Sequence, residues 1–95
     1  SSAQTHLVML GRQTAKERIA SFLLLLAERA DAENGDTVDL PMSRQDIADY
    51  LGLTIETVCR ALSDLKRDRI IGIPNRHQIG IANLAALENI AECDE

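Results

Sequence analysis

Leu51-Gly52-Leu53-Thr54 is the segment that most restricts how this chain can fold. Before it, Ser43-Arg44-Gln45-Asp46 offers a capping residue and an acid in the first turn of a helix, and Ile47, Ala48 and Leu51 then recur at helical spacing. After it, Thr54 is a second N-cap and Glu56 suits the N-terminal end of a helix dipole. Ile55, Val58, Ala61, Leu62 and Leu65 then make one apolar stripe on a helix that runs to about Asp68. Gly52 tolerates the left-handed backbone that a tight corner needs. Two helices must therefore meet abruptly, with Leu53 the single apolar residue in the turn.

The flanking segments surround this pair with small elements. Thr14-Ala15-Lys16-Glu17 is a capping box that predicts a helix start. Ile19, Phe22, Leu23 and Leu26 continue it, and Leu24 and Leu25 widen the stripe, so this helix should be covered on more than one side. It should end near Asp31 to Asn34, before Gly35. Thr37 to Leu40 alternates as a short strand stopped by Pro41. Ile71 to Ile73 and Gln78 to Ile81 read as a hairpin separated by Pro74-Asn75-Arg76-His77. Asn83 caps a last helix bearing Leu84, Leu87 and Ile90, and the acidic tail Glu92 to Glu95 should fray. The expected fold is mainly α with a small β wing. It is a winged helix-turn-helix: a three-helix core, short strands and a C-terminal helix.

Composition narrows the function. The chain has 95 residues, one domain's worth, with no apolar run long enough for a membrane span and no signal peptide. Aromatics are only 2%, so the core must be aliphatic. Two cysteines, Cys59 and Cys93, make no disulfide framework, which favours a reducing, cytoplasmic setting. His6, Cys59, His77 and Cys93 have no metal-ligand spacing, and no nucleophile–base pair or phosphate loop is visible. Neither a metal, a cofactor nor an enzymatic site is therefore expected. The net charge of −5 argues against nucleic acid when taken alone. Yet residues 42–77 carry a net +1, against −2 for residues 1–41 and −4 for residues 78–95.

The second helix of the pair concentrates the chemistry. At 3.6 residues per turn, Glu56, Cys59, Arg60, Ser63 and Arg67 share one face, opposite the apolar stripe. In a DNA major groove an Arg donates two bonds to guanine, and a Glu accepts from cytosine. Both Glu56 and Arg60 lie near the helix N-terminus, the end that meets base edges in such motifs. The bland alternative is a surface ion pair at i, i+4, worth a few tenths of a kcal/mol. Ser43 and Arg44, at the start of the first motif helix, and Arg76 and His77, at the hairpin tip, are candidates for backbone phosphates. Thr54, Thr57, Ser63 and Arg67 are supporting candidates. A winged helix can also serve as a protein–protein module, but a protein-binding face would expose apolar residues where this one is polar.

The stretch Arg44-Gln45-Asp46-Ile47-Ala48-Asp49-Tyr50-Leu51-Gly52-Leu53-Thr54-Ile55-Glu56-Thr57-Val58-Cys59-Arg60 resembles the C-terminal domain of the catabolite-activator and fumarate-nitrate-reductase (Crp/Fnr) regulators. Leu10-Gly11-Arg12-Gln13-Thr14-Ala15-Lys16-Glu17-Arg18-Ile19-Ala20-Ser21-Phe22-Leu23 is similar to the branch containing the FixK regulators. The resemblance implies double-stranded DNA binding by a homodimeric transcription factor, an activator among them, that reads TTGA-type half-sites with a Glu, a Ser and an Arg. Glu56 and Arg60 match two of these. Cys59 stands where the family has Ser. It is either a small Ser substitute or a redox site whose oxidation or alkylation would block DNA. The resemblance further implies that residues 1–11 end a dimerisation helix and hinge, that residues 12–95 form the DNA-binding domain of a longer protein, and that the loop Glu33-Asn34-Gly35-Asp36 is a candidate contact for RNA polymerase.

Overall fold

Each expected helix start is built by a side chain close by in sequence. The computed structural model describes residues 14–91. The expectations for the dimerisation helix and hinge (residues 1–11), the acidic tail, His6 and Cys93 fall outside them. The first helix, α1 (Ala15–Arg29), opens on a complete capping box: Thr14 Oγ1 accepts from the Glu17 N–H at 3.1 Å, and Glu17 accepts from the Thr14 N–H at 2.6 Å. After the strand β1 (Thr37–Asp39), Ser43 caps α2 (Arg44–Leu51) and Thr54 caps α3 (Ile55–Arg67). The hairpin strands β2 (Ile71–Asn75) and β3 (Gln78–Ile81) precede α4 (Leu84–Ala91). Asn83 accepts from the Ala86 N–H at the start of α4, as expected. Asn34 reaches across the chain to accept from the Leu84 N–H at 2.7 Å.

The helix ends share a device that the glycines alone do not reveal. Three helices stop at a residue of positive φ: Asp31 (54°), Gly52 (71°) and Arg69 (61°). Beyond α1, Ala32 donates to the Ala27 carbonyl at 2.8 Å and Asp31 to Glu28 at 3.1 Å. Beyond α3, Ile70 donates to Leu65 and Arg69 to Lys66, each at 3.0 Å. Both are the paired 6→1 and 5→2 bonds that satisfy orphan carbonyls at a helix end. The first helix therefore ends at Arg29, ahead of the expected Asp31 to Asn34, because Asp31 itself turns left-handed. Gly35, with φ of 93°, serves the later turn into β1, where its N–H donates to the Ile81 carbonyl at 2.7 Å.

Three antiparallel strands form one sheet in the order β1-β3-β2. The hairpin turn is shorter than expected. Strand β2 runs on through Pro74 to Asn75, leaving Arg76 and His77 as the turn. Between Gly72↔Gly80 and Asn75↔Gln78 the register shifts by one residue, a bulge that holds the proline on an edge strand.

The core is aliphatic as expected: Ile19, Leu23, Ile47, Val58, Leu62, Leu65, Ile79, Ile81 and Leu87 are all buried, and among the described residues no polar or charged residue is. Each such side chain contributes about 1.5–3 kcal/mol of burial. The single Phe joins them, and the single Tyr, Tyr50, lies against it from outside with ring centroids 5.8 Å apart. Helix α1 packs against both α3 and α4, which is why its stripe is wide, although Leu25 stays exposed. Ile55 departs from the expected stripe. It is 41% exposed, because the first residue of α3 overhangs the core.

Candidate nucleic-acid interface

The corner that presents α3 is made largely by backbone. The Ala48 carbonyl accepts from both the Gly52 N–H and the Leu53 N–H, the latter at 2.8 Å. Arg18 of α1 adds a side-chain bond from Nη1 to the Leu51 carbonyl at 3.0 Å. Helix α3 then buries Val58, Ala61, Leu62 and Leu65 and turns Glu56, Cys59, Arg60, Ser63 and Arg67 outward. The expected polar face therefore forms.

Its two ends differ. Glu56 and Arg60 are spaced for an i, i+4 pair, yet among the described residues no ion pair or hydrogen bond holds either side chain. Cys59 is exposed between them. Arg67 behaves otherwise: it lies 3.4 Å from Asp64 and 3.6 Å from Asp68, and Asp68 also meets Lys16 of α1 at 3.3 Å. Its charge is answered within the fold.

The supporting candidates divide by what their side chains already do. Ser43 accepts from the Asp46 N–H at 3.1 Å and Thr54 from the Thr57 N–H at 3.2 Å. The Thr54 and Thr57 hydroxyls also bond each other at 2.7 Å. These three residues hold helix starts in place. Ser63 sits exposed on the outer face of α3.

Arg44, Arg76 and His77 come together beside α3. The start of α2, the start of α3 and the hairpin turn enclose an open groove of about 600 Å³, lined by Met42, Arg44, Ile55, Cys59, Arg76 and His77 among others. Three cationic or titratable side chains thus border an apolar floor next to the polar face. Ile55 is the member that sequence reasoning assigned to the core. The signal that places it outside is its position as the first helical residue after the Thr54 cap. Among the described residues no group of three or more His, Cys, Asp or Glu could hold a metal. No helix among them is long and apolar enough to cross a membrane.

Known proteins share this fold. The family described as the Crp-like helix-turn-helix domain matches residues 17–90. The chain is similar to the nitrogen fixation regulation protein FixK of Rhizobium meliloti, with 51% identity over 88 residues, covering 93% of this chain and 41% of that protein. To FixK of Bradyrhizobium diazoefficiens it is 59% identical over 75 residues, 77% of this chain and 32% of that protein. Among solved structures, FixK2 from Bradyrhizobium japonicum matches with a TM-score of 0.77 at 48% identity, over 93% of this chain and 43% of that one. The CO-dependent transcription factor CooA from Carboxydothermus hydrogenoformans matches with a TM-score of 0.76 at 26% identity, over 95% and 42%. The chain thus spans less than half the length of each of these proteins.

Proposed function

The chain belongs to the Crp-like helix-turn-helix family of transcription regulators, and we propose that it reads a TTGA-type half-site with α3 in the major groove of double-stranded DNA. The observation that carries this reading is the unpaired state of Glu56 and Arg60 among the described residues, on a face held outward by a buried stripe. Arg60 donates to guanine O6 and N7, and Glu56 accepts from a cytosine amino group. Ile55 supplies apolar contact for a thymine methyl, beside Cys59, whose thiol is a weak donor. Arg44, Arg76 and His77 meet phosphates and set the register. A bulky adduct on Cys59 would sit between the two reading side chains and block docking; alkylation that leaves affinity unchanged removes that role.

The names of similar proteins, the nitrogen fixation regulation proteins above and the transcriptional activator protein FnrL of Cereibacter sphaeroides (44% identical over 92 residues), support an output domain for an activator. A second copy, brought by a longer protein through the segment that includes residues 1–11, completes a two-fold-symmetric site. The loop from Glu33 to Asp36 is then the surface offered to RNA polymerase. Its fold is firm, since Asp36 accepts from the Glu33 N–H at 2.9 Å.

The test is fluorescence anisotropy on a duplex with two TTGA-type half-sites against a scrambled duplex, at low salt and high protein concentration, where a single domain lacking the avidity of a dimer still binds. Preference for the symmetric duplex, lost in Arg60→Ala and in Glu56→Ala, is expected. A folded chain that prefers neither duplex, even with two copies tethered, would overturn the reading.

A further inference from the structure

Arg44 occupies the first position of α2, where the helix dipole disfavours a cation. Its half-buried side chain leaves the helix and crosses to the hairpin, donating from Nη1 to the Arg76 carbonyl at 3.0 Å. Arg76 is one of the two residues of the turn. The other, His77, is held by different means: its carbonyl accepts from the Leu40 N–H at 2.7 Å, and its N–H donates to Asn75 Oδ1 at 2.8 Å. Asn75 Nδ2 donates to Gln78, and Gln78 donates to Asp39 at 3.3 Å, so a line of side-chain bonds runs across all three strands. These contacts stiffen the hairpin within its own sheet. The Arg44 bond ties that stiffened hairpin to the helix pair.

We infer that Arg44 is a positioning residue for the wing: it fixes the distance between the Arg76 cation and the base-reading face of α3. The inference rests on the DNA reading above. A guanidinium has five donors in a rigid fork, so Arg44 can hold the Arg76 carbonyl and still offer donors to a phosphate. A Lys ammonium keeps the charge, but it ends one bond short of the Nη1 position and lacks the planar fork, so it cannot span to the Arg76 carbonyl and a phosphate together. Arg44→Lys therefore separates the two roles: it retains a phosphate-seeking charge and loses the placement of the wing.

The experiment is a double-variant cycle read by anisotropy on the same symmetric duplex over a range of salt concentrations, with Arg44→Lys, Arg76→Ala and the two combined. Each phosphate contact contributes a salt slope of about 0.9, or roughly eightfold in affinity at 0.1 M relative to 1 M salt. Arg76→Ala should lose one such contact. Arg44→Lys should lose the same contact, and the combined variant should lose no more than either alone. Loss of fold would lower the active fraction without changing the slope, so the slope isolates positioning. An unchanged slope in Arg44→Lys, or a combined loss near sixtyfold from two independent contacts, would overturn the inference. A wild-type chain that does not distinguish symmetric from scrambled duplex would overturn the DNA reading itself, and this inference with it.

Discussion

The two ends of α3 are built from the same kinds of residue and use them differently. Near its start, Glu56 and Arg60 carry opposite charges one turn apart and do not pair. Near its end, Arg67 pairs with both Asp64 and Asp68, and Asp68 pairs with Lys16 of α1. The difference teaches that charge content alone does not identify a binding face. What marks the first half is that its charges have no partner within the described fold. At the second end Arg67 is answered by Asp64 and Asp68, and Asp68 also reaches Lys16 of α1, while buried side chains along the whole helix hold it to the core.

The largest expected effect removes the base that both halves share. Leu65 is fully buried, and Leu65→Ala should cost about 2–5 kcal/mol in urea unfolding. A smaller loss would mean that the site collapses around the deleted atoms. Arg60→Ala comes next. It should weaken binding to the symmetric duplex by about 1–3 kcal/mol while leaving the melting temperature in place. Equal weakening on scrambled DNA would make Arg60 a phosphate contact and erase the contrast. Arg69→Gly should raise stability by about 1 kcal/mol, because a glycine adopts the left-handed backbone without strain. No gain in thermal unfolding would show that the turn is already relaxed. The smallest effect belongs to Arg67→Ala. The Arg67 side chain is 72% exposed, so despite two acidic neighbours its loss should cost about 0.5 kcal/mol of stability, with no change in DNA preference. A clear loss of preference would extend the reading face to the far end of the helix.

Most of the fold was legible because its punctuation is local. Thr14, Ser43, Thr54 and Asn83 each bond a backbone N–H three residues on, and such bonds can be read from spacing alone. Gly52 was legible for the same reason. Asp31 and Arg69 were not: Asp tolerates the left-handed turn but sits in many other conformations as well, and nothing about an Arg signals such a turn. The extension of β2 through Pro74 depends on a register shift against β3, which no window of sequence contains. Within the candidate site, the polar face of α3 followed from periodicity. The exposure of Ile55 did not, because a helical wheel treats the first residue of a helix like any other. The reach of Arg44 to Arg76 spans 32 residues and needed the folded hairpin to become visible.

The corner before α3 has a consequence for how such a domain changes over generations. Two main-chain donors converge on the Ala48 carbonyl, so the angle at which α3 leaves the corner is set largely by atoms that every residue type possesses. The side chains at 56, 59 and 60 contribute no internal bond to that angle among the described residues. On the proposed reading, exchanging them would redirect the domain to new targets without rebuilding its scaffold. A duplicated copy can diverge in what it recognises while remaining the same folded object.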